Sequence, residues 1–100
     1  MNDIISNLDK IFESRIRLGI MSVLMVDEWA EFNRLKELLQ ATDGNLASHL
    51  GALERNAYIE IKKEFINRKP KTSYNTTKKG RNAFKQHLVN LEKLIKIQTK

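Results

Sequence analysis

Apolar residues recur along this chain with two periods, and the points where the period breaks mark its elements. Ile4, Leu8 and Ile11 sit at i, i+4 and i+7, which predicts a short amphipathic helix over residues 3–12 with Phe12 beside its stripe. Ser14 is placed to cap a second helix, with Ile16, Ile20, Val23 and Leu24 facing the core and Arg15 and Arg17 outside. The density of apolar residues from Leu18 to Val26 implies burial on most sides of this helix. Asp27-Glu28 ends it, and Trp29–Phe32 reads as a short extended or turn segment whose two aromatic rings plug the core.

Phe32, Leu35, Leu38 and Leu39 form a further helical stripe over residues 32–40. Ala41-Thr42-Asp43-Gly44 is a turn signal, and Thr42 or Asp43 can cap the helix that begins there. In that helix Leu46, Leu50, Leu53 and Ala57 make a narrow buried stripe, predicting a span of about 43–57 whose other side carries Asn45, Ser48, His49, Ala52 and Arg55. At Tyr58 the period drops from 3.6 to 2. Ile59, Ile61 and Lys63 alternate with Glu60, Lys62 and Glu64, and Thr72–Thr76 is a second β-branched run around Tyr74. The stretch Asn67–Lys71 between them holds the only proline and reads as a loop. Thr77 or Thr76 caps a last helix reaching about Ile97, with Phe84, Leu88, Leu91, Leu94 and Ile95 on one face. The fold class expected is mainly α with a small β-hairpin, one continuous domain over residues 1–100.

Charge sharpens this picture. Lys62, Lys63, Arg68, Lys69, Lys71, Lys78, Lys79 and Arg81, set against Glu60 and Glu64, account for the whole formal net charge of +6. The rest of the chain balances. Charge confined to one quarter of a chain is a footprint for a polyanion, not a general aid to solubility. The footprint adjoins a helix whose polar side has small residues, as a helix entering a DNA major groove requires. The hairpin tip can reach backbone phosphate or a minor groove with Arg68, Lys69 and Lys71.

The stretches Phe32–Leu39, Thr42–Leu50, Leu53–Ile59, Arg68–Tyr74 and Thr77–Gly80, taken together, resemble the winged helix–turn–helix transcriptional regulators of the MarR-like and ArsR-like kind. The resemblance runs from about Phe12 to Leu94. It implies helices packed on a two- to three-stranded antiparallel wing sheet, with a long C-terminal helix. It also implies a homodimer that binds a palindromic site on double-stranded DNA and usually represses. The recognition helix, about 43–57, would then present Thr42, Asn45, Ser48, His49, Ala52 and Arg55. The wing, about 66–72, would present Asn67, Arg68, Lys69, Lys71 and Thr72, with Lys78, Lys79 and Arg81 on phosphates. Residues 1–12 and 82–100 are the expected dimerisation elements, through Ile4, Leu8, Ile11, Phe84, Leu88, Leu91, Leu94 and Ile95. His87, off the edge of that stripe, reads as an interface-edge residue.

Other chemistry finds little support. The chain has no cysteine, which removes disulfides and thiolate metal sites, and its two histidines are not clustered; no metal and no cofactor is expected. There is no phosphate-binding glycine loop, no HExxH and no nucleophile–base spacing, so catalysis is not expected. Met1-Asn2-Asp3 has no basic leader, and the longest apolar run is about half a membrane span. A cytoplasmic chain with no membrane partner is the expectation. Two rival readings stay open: a winged-helix module that binds another protein, and a nonspecific nucleic-acid binder. The residues do not reveal any small-molecule effector.

Overall fold

Side-chain oxygens start most of the helical segments, the helix that follows Glu31 being the exception. A computed structural model describes residues 5–98, with side chains to Lys96. A 3-10 turn, Lys10–Glu13, comes after Asp9, whose Oδ1 accepts from Ile11 N at 3.1 Å. Helix α1, Arg15–Val26, starts on Ser14, whose Oγ accepts from Arg17 N at 3.2 Å. Strand β1 is Ala30–Glu31 and α2 is Phe32–Leu39. Helix α3, Asp43–Arg55, is capped by Thr42 Oγ1, which accepts from Asn45 N at 3.2 Å. Strands β2, Ile59–Ile66, and β3, Lys69–Thr76, form a hairpin, and α4, Lys78–Gln98, closes the chain. Each cap satisfies a backbone donor that the helix itself leaves unpaired.

The three strands form one antiparallel sheet in the order β1-β3-β2, with Ala30 opposite Tyr74 and Ile59 opposite Thr76. Ile20, Met21 and Leu24 of α1 lie at the centre, fully buried against Leu35 of α2 and Leu46, Leu50 and Leu53 of α3. Phe12, Ala30, Ile59, Tyr74 and Phe84 complete this core. The architecture expected from the residues, mainly helical with a small antiparallel sheet and a long last helix, is the one observed.

Six local expectations are corrected, each for a physical reason. Helix 3–12 does not run through: the chain leaves helix at Asn7–Asp9 and resumes as the 3-10 turn. Asp9 breaks it by using its carboxylate on Ile11 N and on Tyr58 Oη, the latter at 2.6 Å. Ile4 lies outside the described residues. Arg17 does not stay outside: its guanidinium donates to Ile11 O at 2.5 Å and reaches His49 Nδ1 at 3.0 Å. The turn between α2 and α3 comes earlier than Ala41–Gly44: Gln40 makes the bend, with φ 50° and ψ 45°, while Asp43 and Gly44 already sit in the first turn of α3.

Ala57 is exposed and not part of the α3 stripe. It takes a left-handed φ of 60°, and Tyr58 N donates to Leu53 O and Ala57 N to Glu54 O, the pair of bonds that closes a Schellman motif. The wing loop is shorter than expected. Lys69 and Pro70 belong to β3, and only Asn67-Arg68 turn the chain, with φ 52° and 65°. Two successive positive φ values fit the tight hairpin turn whose twist matches that of the strands. Phe65 opposes Pro70 one step in from the tip, a position where the proline nitrogen points away from β2, so the ladder is intact there. Finally, Phe84 and His87 are 4% and 6% exposed within a single chain. Phe84 belongs to the protomer's own core, and His87 Nδ1 accepts from Asp9 N at 3.3 Å, so neither is at an interface edge.

Candidate nucleic-acid interface

Helix α3 divides its surface cleanly. Leu46, Leu50 and Leu53 are buried, whereas Asn45, Ala47, Ser48 and Arg55 are exposed and Ala52 half-buried. With alanine, serine and glycine prominent on this helix, its backbone can approach a surface closely. Lys36 Nζ and Asp43 Oδ1 pair at 2.7 Å between α2 and the start of α3. Both are solvent-exposed, so the pair adds little stability.

His49 lies on the border between the two sides, which is how it meets Arg17 of α1. An arginine can only donate, so Nδ1 is the acceptor and the neutral ring carries its proton on Nε2. Burial and then the Arg17 charge hold the His49 pKa below its ordinary 6.5. The ring is therefore a fixed, uncharged donor at neutral pH. Sequence reasoning misses its holder, because Arg17 and His49 are 32 residues apart.

The hairpin is anchored at its base. Thr77 N donates to Tyr58 O at 3.0 Å, and Thr77 Oγ1 donates to Ala57 O at 2.6 Å while accepting from Gly80 N at 2.9 Å. Gly80 lies so close that a Cβ there would stand 1.9 Å from Tyr58 O. That contact explains the Thr-x-x-Gly entry to α4 physically: threonine caps the helix, and glycine lets it rest on the Tyr58 backbone. Tyr58 itself stacks on Phe12, with centroids 5.4 Å apart. Burial and its bond to the Asp9 carboxylate push its hydroxyl pKa up to about 12.

Several of the cations singled out in the sequence carry local duties. Lys62 Nζ lies 4.3 Å over the half-buried Trp29 ring, and Lys79 Nζ lies 5.5 Å from the Tyr58 centroid. Arg81 Nη2 bonds Thr76 Oγ1 at 3.1 Å. By contrast Phe65, Ile66, Asn67, Arg68, Lys69 and Pro70 are all exposed, with Lys71 and Thr72 half-buried behind them. An open cleft of about 290 Å³, lined by Glu31, Phe32, Asn33, Pro70, Lys71, Thr72 and Tyr74, separates the wing from the start of α2.

Along α4, His87 and Asn90 face inward and fasten the N-terminal segment: Asn90 Nδ2 donates to Asn7 O at 3.1 Å. Leu91 and Leu94 are half-buried, as are Leu8 and Ile11. Leu88, Val89 and Ile95 point outward at 46%, 44% and 60% exposure, and Ile5, near Leu8 in sequence, is 52% exposed. Among the described residues no helix is long and apolar enough to cross a membrane.

Residues 16–95 match the winged helix DNA-binding domain family. The chain belongs to that family. A relative, an uncharacterized protein of Methanocaldococcus jannaschii, is 45% identical over 87% of this chain and 95% of its own length. The solved structure of a transcriptional regulator homologue from Pyrococcus horikoshii OT3 superposes with a TM-score of 0.87 at 32% identity, covering 96% of each chain. A Bacillus cereus protein described as a MarR-like transcription regulator shares the fold, with a TM-score of 0.70 at 24% identity over 95% of this chain and 73% of that one. The winged helix–turn–helix is thus α2, the Gln40–Thr42 turn and α3, and the wing is the β2–β3 hairpin.

Proposed function

We propose that the chain, as a single domain over residues 1–100, acts as a homodimeric, sequence-specific DNA-binding repressor. One observation carries the reading: the exposed cations Arg68 and Lys69 sit on a hairpin tip open to solvent, directly after a helix with a small, polar outer face. Arg68 supports it further. Glycine is the favoured second residue of such a turn, and a non-glycine residue at φ 65° costs about 1 kcal/mol. The turn thus presents a cation in solvent at a position that favours glycine.

In this reading α3 enters the major groove. Asn45 and Ser48 offer donors and acceptors at base edges, His49 offers Nε2–H, and Ala52 allows close approach. Thr42 and Arg55 flank them. The wing residues Asn67, Arg68, Lys69, Lys71 and Thr72 meet the backbone or minor groove, and Lys78, Lys79 and Arg81 lie on phosphates, supplying affinity more than sequence preference. Two copies join through the outward apolar face of α4, Leu88 and Ile95 with Leu91 and Leu94 at its edge. Leu8, Ile11 and the N-terminal stripe lie alongside. The join spaces two recognition helices one DNA turn, about 34 Å, apart.

Selection of duplexes from a random pool, followed by salt titration, tests this. Replacing Arg68, Lys69 and Lys71 by Ala should weaken binding to every duplex alike and lower the log–log salt slope by about 0.9 for each phosphate no longer neutralised. Ser48→Ala should instead change which duplexes are preferred. A wing triple variant that binds as the parent does, with the same salt slope, would show the wing reading to be wrong.

A further inference from the structure

The wing tip carries an aromatic ring as well as charge. Phe65 is 74% exposed, and the next residue, Ile66, is 43% exposed. Side chains alternate along a strand, so Phe65 shares a face with Ile61 and Ile59, and its cross-strand partner Pro70 shares one with Tyr74. At the base that face is core: Ile59 and Tyr74 are 2% and 7% exposed. Towards the tip the same face outruns the protein and ends in Phe65 and Pro70, both in solvent, with Pro70 on the rim of the open cleft. Lys63 lies two residues before Phe65 on that face, and Arg68 and Lys69 border it at the turn. An unshielded ring on an edge strand invites aggregation unless a partner covers it.

We propose that the Phe65–Pro70 pair is an apolar wedge that enters the DNA minor groove and partly unstacks a base step, while Arg68 and Lys69 hold the phosphates on either side. The proposal rests on the DNA-binding reading above and adds to it a residue that selects deformable steps. The chemistry of the two surfaces agrees. A minor groove has anionic walls and a floor of sugar carbons and base edges, and the wing tip has cations around an apolar ridge. Proline and a two-residue turn keep that ridge stiff. Pyrimidine–purine steps, which unstack at least cost, are the expected target.

The test uses a duplex that the parent protein selects from a random pool, with 2-aminopurine placed in turn at each adenine of its flanks. Binding of the parent should brighten the probe at one flanking step of each half-site, one for each wing of the dimer. Phe65→Ala should abolish that signal and lower affinity about tenfold, with the salt slope unchanged because every cation remains. Phe65→Leu, still an apolar wedge, should restore most of both. Equal affinity and equal probe brightness for Phe65→Ala would overturn the wedge, and so would a change in oligomeric state by light scattering, which would assign the ring to a protein contact. Should the parent select no duplex at all, the DNA reading fails and the wedge falls with it. A parent that selects duplexes without brightening the probe overturns the wedge alone.

Discussion

At the base of the β2–β3 hairpin Tyr58 is held on three sides: its carbonyl takes Thr77 N–H, its hydroxyl reaches Asp9, and its ring lies on Phe12. At the tip, Phe65 through Pro70 are all exposed. The base joins α3, the sheet, α4 and the N-terminal segment, so its residues are held by packing. The tip is held only by the strand ladder. Its composition is therefore free to answer to something outside the molecule, and it is there that Arg68 and Lys69 stand. The two ends of one hairpin should respond to substitution in separable ways: the base in stability, the tip in binding.

Gly80→Ala should give the largest effect. The added Cβ would stand 1.9 Å from Tyr58 O, backbone that several hydrogen bonds hold in place. Relief requires α4 to lift from the hairpin, at about 3 kcal/mol or more. Urea unfolding measures it, and Lys69→Ala in the same assay should move stability by less than about 0.5 kcal/mol. A mild Gly80→Ala would mean that α4 is not seated on Tyr58.

Tyr58→Phe is the next largest. It removes the hydroxyl that donates to Asp9 at 2.6 Å and leaves the Phe12 stack in place, destabilising by about 1.5 kcal/mol at neutral pH. The pH dependence gives a second check. The folded Tyr58 pKa is raised from 10.0 to about 12. The unfolded state therefore releases its proton first. The stabilisation is full below about pH 10, and it fades as pH rises through about 12. The stability difference between parent and Tyr58→Phe should thus hold steady up to about pH 10 and shrink above it. A difference that grows instead would contradict the bond to Asp9.

How far the sequence discloses a residue's place depends on the range of its interactions. Ser14, Thr42 and Thr77 are legible as caps because each bonds a backbone N–H three residues on. Leu46, Leu50 and Leu53 are legible because one helix turn repeats them, and the strand period exposes the hairpin. Asp9 is not. Its carboxylate takes the Tyr58 hydroxyl and its backbone N–H donates to His87, both far along the chain, and no local pattern marks a residue that will break a helix to reach them. Arg17 escapes for the same reason, its partner His49 being on another helix. At the candidate interface, the cations of the wing and the polar side of α3 are visible as residue types. That Lys62, Lys79 and Arg81 also pack on Trp29, Tyr58 and Thr76 is not, nor is the exposure of Phe65, which alternation alone places on a core-facing side.

Two residues with the same backbone strain separate the ends of the hairpin most finely. Ala57 at the base has φ 60° and Arg68 at the tip has φ 65°. Glycine at either position relieves the left-handed cost but gives the unfolded chain more freedom, a net gain of roughly 0.5–1 kcal/mol where the residue is held in the folded state. At Ala57 that gain should appear in full in urea unfolding, because the Schellman bonds tie the residue to Leu53 and Glu54. At Arg68 it should be smaller, since the tip can fray without disturbing the core. The consequence for binding runs the other way. Ala57→Gly should leave duplex affinity and its salt slope as they are, whereas Arg68→Gly should weaken binding and lower the slope by about 0.9. An Arg68→Gly protein that is more stable and binds duplex undiminished would show that the strained arginine is an accident of the turn, with no role at a phosphate.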